Sequence, residues 1–356
     1  MATLFQNINE GIDDPSNRFS FECKNMDLSM INGLKRIIQT DIPIPGFLGE
    51  EHPTINIIEN TGPLHNEIIS HRIGLIPIHL NEDEVETFNE DDYEFELNVK
   101  NESSIMINVT TNDIEITYKG VVMTPKDKQR IFPANKLTKN YILITRLRPN
   151  EHLHFTAKAI KSTARQHAGF SPVSLCSFYF IEDPKLLSQI ENINILDKER
   201  AYYRNEFGDP TLVKFQIESE CALSPRYLVS KAIEILMQKL DNIIYNINDL
   251  SSENIKIEET EPGYLFIIKN EDDTLGNFLQ SYMHNHYIRD KKPTTQNNEV
   301  GYVGYVCPHP LENIMHLKIV IKSNQNQSQY IDLIIEHCRR TLSFLQEVKS
   351  QWLKSK

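Results

Sequence analysis

Met30-Ile31-Asn32-Gly33-Leu34 and Leu275-Gly276-Asn277-Phe278-Leu279 each set an asparagine two residues ahead of a leucine in a helical pattern, far apart on one chain. Each stretch follows an aspartate, Asp27 or Asp273, of the kind that caps a helix N-terminus. The first helix presents Met30, Ile31, Leu34, Ile37 and Ile38 on one face and must stop by Pro43 and Pro45. The second presents Leu275, Phe278, Leu279, Tyr282 and Met283. The pattern predicts two related halves on one polypeptide.

Each half closes on a long helix with an apolar stripe. In the first, Ser224 stands as N-cap with Pro225 at the first helical position, and Val229, Ile233, Leu236, Leu240, Ile243 and Ile247 follow at alternating spacings of four and three. In the second, Ile331, Ile335, Cys338, Leu342, Leu345, Val348 and Trp352 make an equivalent seam. Two seams in one chain can satisfy each other. Leu34, Val229, Ile233, Leu236, Leu240, Leu279, Ile335, Leu342 and Leu345 are therefore the expected pairing residues.

Between the first helix and the first seam, the chain changes character. Phe95-Glu96-Leu97-Asn98-Val99, Ile105-Met106-Ile107-Asn108-Val109, Ile114-Glu115-Ile116-Thr117-Tyr118 and His154-Phe155-Thr156-Ala157 alternate as half-buried strands do. The expected class is α+β. Residues 1–48 and 172–247 form a first module of mixed sheet and long helices, 49–171 a β-rich insertion, 248–254 a polar linker, and 255–356 a second module. Within the insertion, a short helix from Leu64 to Arg72 precedes Gly74, expected as a left-handed cap ahead of Pro77. Nine acidic residues and no Lys or Arg lie between Asn81 and Glu96, a composition that reads as a solvated loop or mobile lobe.

Composition narrows the class. With 356 residues, 40% hydrophobic and 24% charged, the chain has the make-up of a soluble protein of two or three domains. Apolar runs such as Leu265 to Ile268 are too short to cross a bilayer, and Met1-Ala2-Thr3-Leu4-Phe5 lacks a secretory pattern, so a cytosolic or nuclear compartment is expected. Five scattered cysteines fit buried thiols in a reducing environment. A net charge of −12 disfavours binding to nucleic acid as the main task.

These blocks resemble the α-like subunits of cellular RNA polymerases: bacterial α, archaeal D and L, and the eukaryotic third-largest subunit with its small partner. Asn32-Gly33-Leu34-Lys35-Arg36 is similar to that family's N-x-L-R-R helix. Asn60-Thr61, Glu67 and His71-Arg72-Ile73-Gly74-Leu75-Ile76-Pro77 resemble its E-N-T…D-E…H-R-L-G-L-I-P block, and His167-Ala168 with Ser171-Pro172-Val173 resembles H-A-K-W-S-P-V. In the second half, Glu271-Asp272-Asp273-Thr274-Leu275-Gly276-Asn277 is similar to the small partner's E-D-H-T-L-G-N, and Gly304-Tyr305 with His309-Pro310-Leu311-Glu312 to its G-Y…H-P-L-E. Asp273 departs from the usual histidine, Gly169 from a basic residue, and the acidic stretch lacks the metal-ligating cysteines of some relatives. No zinc or iron–sulfur site is carried over.

The resemblance implies a non-catalytic assembly and scaffold subunit, with the two halves pairing within the chain and the largest and second-largest polymerase subunits docking on the platform. Smaller subunits are possible further partners, and nucleic acid would be met only through the assembled complex. Docking is expected at Arg36, Glu67, His71, Arg72, Lys158, Lys161, Arg165 and His167. Arg36 suits bidentate pairing with a carboxylate across an interface, and His71 and Arg72 fall in a last helical turn where the dipole favours positive charge. Cellular relatives keep the two modules on separate chains, so the fusion points to a polymerase of a large cytoplasmic DNA virus, with the viral factory or virion as its place.

Catalytic and metal chemistry find little support. His152 and His154 share a strand face at a spacing that permits joint ligation, but a third ligand is missing. His284 with His286, and Cys307 with His309, lack the spacing of a closed zinc site. No D-x-D-x-D-like triad holds magnesium, and Ser171 with His167 lacks a nucleophile elbow. No cofactor is expected. The rival readings are a stand-alone transcription regulator that dimerises through the same pairing fold, and a cytosolic hydrolase.

Overall fold

The first helix forms where its sequence dictates: Asp27 accepts the Ser29 N–H at 2.8 Å, and Met30, Ile31, Leu34, Ile37 and Ile38 are all buried. A computed structural model describes residues 3–11, 18–49, 54–189, 194–249, 253–294, 299–322 and 326–355; Leu250 to Ser252 of the expected linker lie outside the described residues. In chain order the α-helices are α1 (Leu28–Thr40), α2 (Asn66–Gly74), α3 (Glu82–Glu86), α4 (Pro125–Ile131), α5 (Pro184–Leu187), α6 (Ile195–Arg200), α7 (Pro225–Asn248), α8 (Asp273–Met283) and α9 (Gln327–Lys354). A π-helical turn, His284–Arg289, continues α8.

The chain divides into two compact units. One gathers Met1–Ile38, Cys176–Ile217 and Val229–Lys356; the other gathers Gln39–Leu175 and Glu218–Leu228. The first unit contains two four-stranded sheets. In one, the strands lie in the order Phe5–Asn9, Phe19–Lys24, Leu212–Ser219, Val173–Phe180. Its antiparallel register sets Phe21 opposite Phe215, whose rings stack at 5.1 Å, and the alternation buries Phe19, Phe21, Cys23, Val213, Phe215 and Ile217. In the other, the order is Ile255–Glu259, Tyr264–Lys269, Ile314–Ile321, Val300–Val306, with Met315, Leu317, Ile319 and Ile321 turned inward.

The long helices of this unit keep the stripes read from their sequence. Tyr227 N–H donates to Ser224 Oγ at 3.1 Å at the head of α7, and Val229, Ile233, Leu236, Leu240, Ile243 and Ile247 are buried. On α9, Asn326 and Gln329 close a capping box, and Ile335, Cys338, Leu342, Leu345, Val348 and Trp352 are buried. Lys349 of α9 meets Glu234 of α7 at 2.7 Å, while Asp241, one to two turns further along α7, adds to the burial that pushes the Cys338 thiol up to about 12. The sequence of α9 does not reveal what its last turn meets: Trp352 lies against Phe5 at 4.9 Å, Phe21 at 4.8 Å and Phe19 at 6.2 Å, on the sheet of the first half.

The second unit is built on a five-stranded sheet in the order Ile55–Asn60, His152–Ala157, Tyr93–Lys100, Glu115–Tyr118, Val121–Val122. Phe95, Leu97, Leu153, Phe155 and Ile116 fill its inner face. One expectation fails here, and another holds in part. Gly74 is the last residue of α2 and does not have the positive φ of a left-handed cap; the helix passes through it to Leu75. The acidic stretch resists burial as its composition implies, but part of it folds into α3 rather than a loop, and several of its carboxylates meet donors distant in sequence. Asn81 caps α3 in a box with Glu84, Glu84 takes both ends of the Arg130 guanidinium at 2.7 and 2.8 Å, Glu82 accepts from Ser224 Oγ at 2.5 Å, and Glu86 accepts from the Tyr227 hydroxyl at 2.5 Å. Burial alone would raise the Glu84 carboxyl, but Arg130 and the Asn81 N–H hold it below its ordinary value.

Trp352→Ala removes the aromatic plug of the first unit. Denaturant unfolding of this variant is expected to show a loss of about 3–5 kcal/mol; a loss under about 1 kcal/mol would contradict the packing role assigned to it.

Candidate functional site

α1 and α8 hold one another's ends. The α8 cap is Asp272, not Asp273: the Thr274 N–H donates to Asp272 Oδ1 at 2.9 Å. Arg36, on the penultimate turn of α1, donates from Nε to Thr274 Oγ1 at 3.0 Å and sets Nη2 3.8 Å from Asp272. At the other end, Asn285, just past α8, donates to the α1 cap, Asp27, at 2.6 Å, and the Tyr282 hydroxyl points to Met30 Sδ at 3.5 Å. Leu34 and Leu279 are buried along the same helices. Lys239 of α7 closes on Glu271 at 2.9 Å with little of either side chain exposed, in a pair whose removal on one side leaves a buried charge. Sequence alone gives Arg36 as a docking residue; its partner shows only when the two halves are seen together.

The motif Leu275-Gly276-Asn277 has a steric cause. A Cβ on Gly276 would lie 2.4 Å from Cδ2 of Tyr305 and 2.8 Å from Met315 Sδ, so only glycine admits the ring of the Gly304-Tyr305 strand. Gln280 Oε1 fixes that strand by accepting the Tyr305 N–H at 2.9 Å. Asp273, the position that departs from the family's histidine, faces Tyr305 and Cys307. Burial first, then its charge and hydrogen bond, raise the Tyr305 hydroxyl and push the Cys307 thiol up to about 11. A thiol raised in this way is disfavoured from ionising at neutral pH.

In the second unit, the separate sequence blocks meet. Asn60 Nδ2 donates to Leu64 O and to Asn66 Oδ1, both at 2.8 Å, which shapes the entry to α2, and Thr61 Oγ1 accepts the His152 N–H at 2.7 Å. A Cβ on Gly169 would lie 2.5 Å from the Gly74 carbonyl oxygen, so the loop at His167 seats directly on the end of α2. His167 caps that loop by accepting the Gly169 N–H at 3.1 Å. Burial lowers the His79 imidazole, with Glu220 acting against it.

The outer side of α2 carries Glu67, Ile68, His71, Arg72 and Leu75, all exposed, with Ile68 and Leu75 47% and 51% accessible. Arg72 Nη2 donates to Leu143 O at 2.8 Å, which holds its side chain across the surface. The other basic residues are tied down to different degrees. Arg165 grips Asp41 at 2.6 and 3.1 Å, Lys161 donates to the Val85 carbonyl, and Lys158 stands 3.7 Å from Asp91 with most of its side chain in solvent. His152 meets Glu59 at 3.0 Å and Asn98 at 2.8 Å, and His154 meets Glu96 at 2.9 Å. Among the described residues, no group of three or more His, Cys, Asp or Glu is arranged to hold a metal ion, and no helix is long and apolar enough to cross a membrane.

One buried polar cluster escaped the sequence reading. On α9, His337 is fully buried with Nδ1 unpartnered, its ring 5.7 Å from that of Tyr287, whose hydroxyl is also unpartnered. Burial first, then the nearby His286 and Arg340, lower the His337 imidazole to about 3.

Two sheet-and-helix modules with reciprocally capped first helices define a pairing fold of the α-like kind. The chain matches the RNA polymerase Rpb3/Rpb11 dimerisation domain over residues 20–240 and again over 264–351, and it belongs to that family. Similar curated proteins include the human DNA-directed RNA polymerases I and III subunit RPAC1, 24% identical over 279 residues that cover 63% of this chain and 79% of the relative. The DNA-directed RNA polymerases IV and V subunit 3B of Arabidopsis thaliana is 25% identical over 295 residues, 66% of this chain and 89% of that protein. The DNA-directed RNA polymerase subunit Rpo3 of Methanosphaera stadtmanae is 27% identical over 275 residues, 65% and 95%.

Two outcomes are expected. Gly276→Ala destabilises by about 1–3 kcal/mol, and in a Tyr305→Ala background the same change costs less than half as much; additive effects in that double-mutant cycle would contradict the steric account. For His337, the folded value of about 3 lies below the ordinary 6.5, so the stabilisation from the neutral ring is complete above pH 6.5 and declines as pH falls toward 3. From about pH 7 to pH 5, the melting temperature of the wild type is expected to fall more than that of His337→Gln. Parallel curves would show that the ring plays no part.

Proposed function

We propose that this chain is a non-catalytic assembly and scaffold subunit of a DNA-directed RNA polymerase, in which the two pairing modules serve each other and the two large catalytic subunits dock on what remains exposed. The observation that carries this reading is the double occurrence of the dimerisation domain on one chain, together with the contacts of Arg36 with Thr274 and Asn285 with Asp27. Joining the modules through a short polar linker raises their effective concentration to about the mM range, which favours pairing within the chain over pairing with a second copy. Relatives named as RNA polymerase subunits support the setting.

In this reading, the outer face of α2 is the main docking surface. Exposed Ile68 and Leu75 at helical spacing, flanked by Glu67, His71 and Arg72, give the mixture of apolar anchor and charged rim that suits a protein interface. Lys158 and the loop at His167 extend it, and the nucleotidyl-transfer chemistry belongs to the partners. Both modules on one chain also fit an origin in a large cytoplasmic DNA virus, with the cytoplasm as its compartment and the nucleus as the alternative.

Affinity purification from the native source tests this. The tagged chain is expected to bring down the two largest polymerase subunits, Arg72→Glu to reduce their recovery several-fold without lowering the melting temperature, and Leu342→Asp to unfold the first unit. A stable homodimer that binds DNA in a salt-dependent way and recovers no polymerase subunit would favour a dimerising regulator instead.

A further inference from the structure

The two four-stranded sheets of the first unit both bury one face, and they differ on the other. In the first sheet the strands alternate, as strands with one wet face do. Opposite the buried Phe21 and Cys23, the strand Phe19–Lys24 turns out Glu22 and Lys24, and the register sets Lys214 and Leu212 beside them. Gln6 and Asn7 both donate to Glu22, at 2.9 and 2.8 Å, so this face is finished by its own polar side chains. In the second sheet the alternation breaks down. Tyr264-Leu265-Phe266-Ile267-Ile268 is apolar throughout, and Ile319-Val320-Ile321 ends the neighbouring strand in the same way. Such runs belong to strands that are buried on both faces.

Phe266, Ile268, Leu317 and Ile319 fill the inner side, beneath α8 and α9. The register places Leu265 and Ile267 on the outer side, in rows with Lys318 and His316 and, on the edge strand, with Gly304 and Val306; Val320 and Tyr302 pair in the next row. Val306 and Tyr302 are 54% and 52% accessible, and Leu265, Ile267 and Val320 are partly exposed. The Tyr302 ring lies where a Cβ on Gly304 would be, which keeps the surface flat. These side chains are neighbours across three strands, and contiguity separates a patch from the scattered apolar residues of any surface. The charge around them is positive. Glu258 answers Lys256 at 2.6 Å and Glu299 answers Lys322, but among the described residues no ion pair answers Lys269 or Lys318, whose ammonium reaches the Thr260 hydroxyl. On a chain of net charge −12, such a face selects an acidic partner and repels the same face of a second copy.

We propose that the outer face of this second sheet is the docking site for an acidic amphipathic helix of another polypeptide. The sheet carries helices on its inner side, and a helix laid on the outer side completes an arrangement in which both faces are covered. The apolar stripe of the incoming helix packs on Leu265, Ile267, Val320, Tyr302 and Val306, and aspartates or glutamates on its flank meet Lys269 and Lys318. This face belongs to the first unit and α2 to the second, so the site is a different surface from the α2 face. It does not depend on which assembly the chain serves.

Two samples of the full-length chain test this, one purified with its assembly from the native source and one expressed alone, each treated with a lysine-acetylating reagent. Lys269 and Lys318 are expected to react about tenfold more slowly in the assembly. A carbodiimide, which joins a lysine amine directly to a carboxylate, is expected to link them to acidic residues of a partner segment with apolar residues at helical spacing. Val306→Lys, at an exposed position, is expected to lower recovery of that partner about tenfold with an unchanged melting temperature. Equal acetylation in the two samples, links only to a second copy of this chain, protection of the chain alone by anionic lipid vesicles, or full recovery in folded Val306→Lys would each overturn the proposal. Protection and linkage within an assembly that lacks polymerase subunits would uphold this site and refute the scaffold reading.

Discussion

The first unit depends on a reciprocal exchange of hydrogen bonds at the ends of two short helices. A helix N-terminus leaves backbone donors without partners, and a cap carboxylate that answers them carries a charge that must itself be answered. In this chain the answer to each cap comes from the opposite half: Arg36 for the head of α8, Asn285 for the head of α1. Each helix is capped by its own half, and each cap is met by a side chain of the other. The apolar faces beneath, with Leu34 and Leu279 among them, supply area, while the cap contacts fix register and direction.

The surrounding structure reinforces that crossing. Tyr305 can lie across α8 only because Gly276 has no side chain, and Trp352 carries the end of α9 onto the three phenylalanines of the first sheet. α7 and α9 are linked by Lys349 and Glu234, while Lys239 and Glu271 bind α7 to the approach of α8. The second unit follows another plan. Its sheet carries the loop at His167 seated on α2, so blocks that lie far apart in sequence share one surface.

Periodicity and cap chemistry made much of this legible in the sequence. The stripe of α7 with Ser224 and Pro225 at its head, the stripe of α9 and the alternating strands of the insertion are local signals, and local signals survive without knowledge of the fold. What escaped was set by distant partners. Glu82, Glu84 and Glu86 read as a solvated run because Ser224, Arg130 and Tyr227, which receive them, are far along the chain. Gly74 read as a cap because a glycine before a proline usually is one; here it lies against the loop at Gly169, a close approach no sequence pattern announces. With Asp272 and Asp273 adjacent, composition could not say which would cap, and the structure gives the cap to the first and Tyr305 and Cys307 to the second.

The most direct measurement is to insert a protease site between Asp249 and Glu253, cleave the folded protein, and determine the mass of the product by sedimentation equilibrium under native conditions. If the halves hold each other through the helix crossing, the cleaved chain sediments as one species near the intact 41.3 kDa and separates only in denaturant. Two free fragments, or fragments that pair with their own kind, would contradict the account.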